Sequence, residues 1–258
     1  MSHRVRRLRN AALVAGVVAW VVFLAPPLDS WAGRYEFMNA LQFGVFAFWV
    51  PAALAVGAPW RLTRAGRALA AGDTRVTWLT RWTARREAFS REARAVVVTV
   101  VFILLEVFWR LAPVVDDVAA HGWGRALESV TLVGAGVALF VSMVESPPLT
   151  PLPKRVLRIF MAAPVMWTIW IIGYMDGMTG AGWYRVFHHV AGAGVSLVAD
   201  KEIATGVLWA TSAVIFIPVV FWNMVHWLQS ESTPDEEMYD LVREERTRGL
   251  FGPRAERF

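Results

Sequence analysis

Glu106 and Arg110 are the first residues whose types and spacing could do chemistry. Four apart, they share one helical face, inside an otherwise apolar stretch where an ionisable side chain is costly and so points to a site. Glu128 and Arg125 open a later apolar stretch, and Asn39 and Gln42 open an earlier one, at matching depth. Two readings stay open for these six: an ion-pair and hydrogen-bond network joining helices, or a polar site near one membrane surface. A softer group follows. Met175 and Met178 are three apart, His188 and His189 lie in the next loop, and Met38 sits at a similar depth. Thioether and imidazole suit Cu(I), so these residues are the candidate metal ligands. Asn223 and His226, at the end of the last apolar stretch, read as helix-to-helix hydrogen bonds.

The chain has no cysteine. Disulfides, thiolate catalysis, iron–sulfur clusters and thiolate zinc sites are therefore excluded. Bis-histidine haem needs two imidazoles facing each other from spans at equal depth, and none of the 5 histidines is so placed. Retinal would need a mid-span lysine, and neither Lys154 nor Lys201 is one. No P-loop, Gly-x-Ser-x-Gly or His-Glu-x-x-His pattern occurs. No catalytic site is argued, and the reading is of a non-enzyme with no certain cofactor, copper alone being chemically accommodated.

Those residues must be positioned by helices. Of 258 residues, 56% are hydrophobic and only 18% charged, where a soluble domain has about 25% charged. The apolar residues come in runs long enough to cross the ~30 Å hydrocarbon core. The fold expected is all-α: a polytopic helical bundle with about six spans, near 10–27, 36–58, 94–113, 126–145, 156–175 and 203–228. Residues 1–230 form one transmembrane domain, and 231–258 a charged tail. Disorder, a disulfide-stapled module and a nucleic-acid partner are excluded despite the basic pI of about 10.2; lipid is the expected surrounding.

Basic residues orient the spans. With the N-terminus cytoplasmic, the internal segments hold 21 of the 26 Lys and Arg. Both termini of this multi-pass chain are expected inside. The linker 61–94 sets Trp78, Trp82 and Phe89 among Arg81, Arg85 and Arg86, which fits either a helix on the anionic leaflet or plain topology charge. The external loop 176–202 is read as partly interfacial, with Trp183 and Tyr184 at headgroup level. Asp200 is read as the N-cap of the last span, with Glu202 near its positive end. Pro51, Pro164 and Pro218 should kink their helices. The row Gly134, Ala138, Ser142 should let another helix approach closely.

Several stretches then resemble one family. Leu41-Gln42-Phe43 running into Trp49-Val50-Pro51-Ala52-Ala53-Leu54-Ala55-Val56-Gly57-Ala58-Pro59-Trp60-Arg61 resembles the second-helix motif of the CtaG-like cytochrome c oxidase assembly factors. Trp109-Arg110-Leu111-Ala112-Pro113, followed by Arg125-Ala126-Leu127-Glu128-Ser129, does so too. The segment from Gly194 to Trp209, with Ser196, Asp200 and Trp209 at its motif positions, is similar to the family's serine–aspartate entry to a span. With Pro153-Lys154-Arg155-Val156-Leu157-Arg158, the likeness covers about residues 36–230.

That resemblance implies an inner-membrane protein that helps mature haem–copper oxidase, assisting copper delivery to its catalytic subunit. Family members carry histidines at the outer helix ends. At the positions that would align, this chain has Asn39 and Phe43, Arg110, and Arg125 and Ser129. Arginine has no electron pair to give a metal at any working pH. The resemblance therefore implies an assembly factor whose usual copper site is lost or moved to Met175, Met178, His188 and His189. Its expected partner is a membrane protein, an oxidase subunit or another respiratory complex. A structural accessory subunit is the alternative, and a small transporter using Glu106, Arg110 and Glu128 a third reading.

Overall fold

A computed structural model describes residues 3–71, 90–151, 153–179, 182–190, 194–229 and 238–243. Trp78, Trp82, Phe89 and their arginines lie outside the described residues, as does most of the tail.

The bundle is all-α. Its helices are α1 (His3–Leu24), α2 (Leu28–Ala32), α3 (Glu36–Gly44), α4 (Val50–Gly57), α5 (Arg64–Ala70), α6 (Arg91–Trp109), α7 (Ala112–Ala120), α8 (Gly122–Met143), α9 (Arg155–Met178) and α10 (Leu197–Leu228). Five spans are long and apolar enough by themselves. The sixth requires the pair Glu92–Trp109 and Ala112–Ala119 to be taken together, across a 65° bend. The third span was expected to run to 113, but it stops at Trp109 and the chain turns into α7. Pro113 at the start of α7 lacks the N–H to continue an older helix and suits the first turn of a new one.

The central rod is α3, a π-helical turn (Val45–Trp49) and α4, end to end. Pro51 explains the turn. It offers no N–H to the Ala47 carbonyl, so the helical register widens just before it. Most of this rod is buried, whereas α1 buries only Gly16. The rod touches α1, α8 and α10; α9 packs on α10 and α6. Phe48, Phe140 and Phe216 fill the centre, with Phe216 5.5 Å from each of the other two rings. Pro164 and Pro218 lie inside helices that continue through them.

Indole N–H groups tie the helices sideways. Trp49 donates to the Thr211 carbonyl at 3.2 Å, Trp60 to the Ser146 carbonyl at 3.1 Å and Trp170 to the Ser212 hydroxyl at 3.0 Å. In hydrocarbon an N–H must find an internal partner, and these bonds also fix neighbouring helices in register.

The close approach of α8 falls elsewhere than the sequence row suggested. Gly134 faces open space, with no atom within 4 Å of an added Cβ. Gly136 is the contact, where a Cβ would sit 2.6 Å from Pro51 Cγ and 3.0 Å from the Ala47 carbonyl oxygen. The carbonyl freed by Pro51 thus lies against a residue with no side chain. Gly136→Ala is expected to destabilise the protein by about 1–3 kcal/mol, as overpacking does, while Gly134→Ala, where the added methyl meets nothing, is expected to keep or slightly raise thermal melting in mild detergent.

Candidate functional site

One end of the bundle gathers the starts of α3, α8 and α10 with the ends of α6 and α9. Its polar residues are buried: Glu36, Asn39, Gln42, Glu106, Arg110, Arg125, Glu128, Ser129, Asp176, Asp200 and Lys201. Since the first and last turns of a helix carry unpaired N–H and C=O groups, buried side chains here have backbone to satisfy as well as each other.

Arg110 sits at the centre, as the residue that ends α6. Its Nη1 donates to Asn39 Oδ1 at 2.8 Å, and its guanidinium lies 4.8 Å from the Tyr184 ring centre and 5.6 Å from that of Phe43. Such stacking on aromatic faces suits a planar cation with little water around it. Its charge acts on the carboxyls of Glu36 and Glu128. Glu106, one turn back, meets neither. Its two oxygens are buried and no donor reaches them. Arg110 Nε and Nη2 are likewise without a hydrogen-bond partner.

Arg125 serves a different corner. It pairs with Asp29 Oδ1 at 2.9 Å and also donates to the Asp29 backbone carbonyl. Gln42 joins this corner, donating to the Phe23 carbonyl at 2.6 Å and facing Asp29 Oδ1 at 3.4 Å. Five of the six residues read from sequence thus occupy two neighbouring arrangements, one around Arg110 and one around Asp29, and Glu106 stands buried without a hydrogen-bond donor.

Asp200 does not cap its own helix. Ser196 does that, accepting from Ala199 N at 3.1 Å. The Asp200 carboxylate instead accepts from the backbone N–H groups of Glu36 and Phe37, both at 2.9 Å. It caps α3 from another span, because the buried start of α3 supplies no side-chain cap of its own. Next to it, Lys201 donates to the carbonyl and hydroxyl of Thr179, just past the end of α9. Adjacent residues of α10 thus satisfy the N-terminus of one helix and the C-terminus of another. Trp209, further along α10, donates to the Trp170 carbonyl at 3.1 Å.

Tyr184 is turned into the protein. It is 1% exposed, and its hydroxyl donates to the Arg110 carbonyl at 3.1 Å. Burial pushes its phenol well above the ordinary range, against the opposing pull of Arg110, so it remains a donor at any working pH. Tyr184 and Phe187 pack on Val115 of α7, closing the end of the bundle with the 3-10 turn Arg185–Val190. Asp116 of α7 accepts from Val186 N at 3.0 Å.

Glu36, Asp176 and, in the Arg125 corner, Asp29 escape the sequence reading. Glu36 and Asp176 are each 1% exposed, and neither Asp176 oxygen has a hydrogen-bond donor among the described residues. Each is an acid within a turn of an apolar stretch, but a span that ends at 175 puts Asp176 in the loop, and α9 runs on to Met178. At the other end, Asn223 bonds its own helix at the Val219 carbonyl, 2.8 Å, and reaches the Met143 carbonyl only at 3.5 Å. His226 contacts the Trp222 carbonyl of its own helix rather than a neighbouring one.

Of the soft-donor side chains, Met175, Met178 and His188 face outward. Met175 and Met178 are 49% and 69% exposed, and His188 is exposed in the 3-10 turn; the His189 side chain is outside the described residues. Met38 is buried. Among the described residues no three His, Cys, Asp or Glu side chains are arranged to hold a metal ion.

A multi-span helical bundle with its polar groups buried at the helix ends defines a multi-pass membrane protein. The chain belongs to the cytochrome c oxidase caa3 assembly factor family (Caa3_CtaG), whose model matches residues 1–230. No curated protein and no solved structure matches it.

Proposed function

We propose that this protein acts, without catalysing a reaction, as a membrane scaffold for the maturation of haem–copper oxidase or a related copper enzyme. It docks to a membrane partner, and the family's usual copper-handling site has been lost. The family match supports the first part. The second rests on Arg110, seated where the resemblance would put an imidazole and bonded to Asn39.

The donor set there does not fit copper. A guanidinium gives no electron pair and phenylalanine has none. Asn39 Oδ1 is engaged by Arg110, Arg125 is held on Asp29, and the Ser129 hydroxyl donates to the Ala126 carbonyl. Cu(I) prefers thioether, thiolate or imidazole. The fixed charge and the hydrogen bonds instead make this end a stiff, closed surface suited to contact. The basic-residue balance supports cytoplasmic termini in an inner membrane.

Two measurements on the full chain test this. Deleting the gene is expected to lower oxidase activity, and added copper is expected not to restore it. Purified protein is expected to hold Cu(I) only substoichiometrically. Stoichiometric Cu(I), abolished by Met175→Ala/Met178→Ala/His188→Ala, would overturn the loss of copper handling and place the site on those residues. Stable one-to-one co-purification with the mature enzyme would overturn the scaffold reading in favour of an accessory subunit.

A further inference from the structure

Where α7 bends away from α6, it leaves an open groove of about 630 Å³ between α6, α7 and α8. Its walls include Leu105 and Phe108 of α6, Asp117 of α7, and Trp123, Leu127 and Thr131 of α8. This volume falls within the usual ~300–1,000 Å³ of small-molecule sites. From Trp123 to Thr131 is eight residues, so the groove runs roughly 12 Å down the face of α8 at 1.5 Å per residue.

Its polarity is graded. At the deep end no polar group is left free: Trp109 Nε1 donates to the Thr131 hydroxyl at 3.0 Å, and that hydroxyl donates to the Leu127 carbonyl at 2.8 Å. That end accepts hydrocarbon only. Leu127 and Phe108 are 46% and 47% exposed, so the groove opens on the side face of the bundle. At the rim the chemistry changes. Asp117 presents a carboxylate whose side chain is 64% exposed, with His121 Nδ1 3.2 Å away on one side. It lies in the last turn of α7, where the helix dipole adds negative potential. Trp123 stands beside it, 66% exposed, with a ring face that attracts ammonium groups. No Lys or Arg lines the groove. The first turn of α8 follows directly; its Gly124 N–H bonds to the His121 carbonyl at 2.9 Å and no side chain caps the rest, so the positive end of the helix dipole favours phosphate there.

A ligand fitting this pattern has a cation, an anion close to it and an apolar tail, in that order. We propose that the groove binds one phospholipid with an ammonium headgroup, phosphatidylethanolamine. Its ammonium sits on Asp117 and Trp123, its phosphate at the start of α8, and an acyl chain along Leu105 and Leu127. This site is independent of the oxidase reading and stands or falls apart from it.

The test is native mass spectrometry of the full chain, stripped of lipid in mild detergent. The protein is then titrated with phosphatidylethanolamine or phosphatidylglycerol of identical acyl chains. One retained phosphatidylethanolamine is expected, favoured about fivefold over phosphatidylglycerol, near the upper value of an exposed ion pair. Asp117→Asn brings the two lipids close to parity. Leu127→Trp fills the groove and abolishes retention, while Leu104→Trp, on the outer face of α6 beside the groove, leaves it intact. Equal retention of the two lipids by the wild-type chain overturns the proposal, as does undiminished retention by folded Leu127→Trp. If Leu127→Trp does not fold, Asp117→Asn decides: an unchanged preference for phosphatidylethanolamine overturns the headgroup assignment.

Discussion

Arg110→Met is expected to destabilise the protein by about 3–5 kcal/mol, the usual range when one partner of a buried charge arrangement is removed. The methionine fills much of the volume but restores neither the bond to Asn39 nor the cation over the Tyr184 and Phe43 rings. It also leaves the Glu36 and Glu128 carboxyls without the one cation whose charge acts on both. Arg110→Lys keeps the charge but loses the planar fork, so its loss should be intermediate. The pairing of Arg110→Met with Glu128→Gln should recover part of the loss, since an apolar replacement of a whole ionic arrangement is far milder than removal of half of it. Thermal unfolding in a single detergent reads all three. Wild-type melting of Arg110→Met would show that the guanidinium is not what holds this end together.

Asp200→Ala is expected to cost about 3 kcal/mol, because two hydrogen bonds to a charged acceptor disappear at about 1.5–3 kcal/mol each, with some relaxation. Both bonds, at 2.9 Å, end on backbone N–H groups of α3 that have no other side-chain cap. Asp200→Asn keeps one carbonyl acceptor and should lose less. Ser196→Ala removes the true N-cap of α10 and should cost about 1 kcal/mol. The order Asp200→Ala, Asp200→Asn, Ser196→Ala, from most to least destabilised, is the expected result of the same melting experiment. A larger loss for Ser196→Ala than for Asp200→Ala would sink the assignment of Asp200 to α3.

Asp200 also shows why the polar end was only half legible. In the sequence, an aspartate followed by Lys201, Glu202 and an apolar run has the form of an N-cap, and local propensity supports that reading. The structure places the start of α10 one turn earlier, on Ser196, leaving Asp200 free to serve a helix 163 or 164 residues away in the chain. A capping rule that uses only neighbours cannot see such an acceptor. Tyr184 is a similar case. A tyrosine beside a tryptophan in a loop reads as an interfacial anchor, and only the fold of that loop over Arg110 buries it.

Glycines and the third span mark the same boundary. Spacing alone favours Gly134 as the close contact, but it is Gly136 that meets Pro51 and the Ala47 carbonyl of the rod. The break at Arg110 was hidden because Leu111 to Val115 is apolar and extends the run past the point where the helix turns. That bend creates the groove beneath α7.

By itself the sequence determined the solvent of this protein and the approximate number of its spans, because hydrophobicity summed over about twenty residues is a large signal that no local contact reverses. It also determined which residues are too polar to face lipid and must lie inside. The tertiary structure alone decided which of them meet: Arg110 with Asn39, Arg125 with Asp29, and Asp200 with the backbone of α3. The physical reason is that each such bond depends on the rotation and end-point of two helices within a few ångströms, whereas burial in a bilayer depends only on depth.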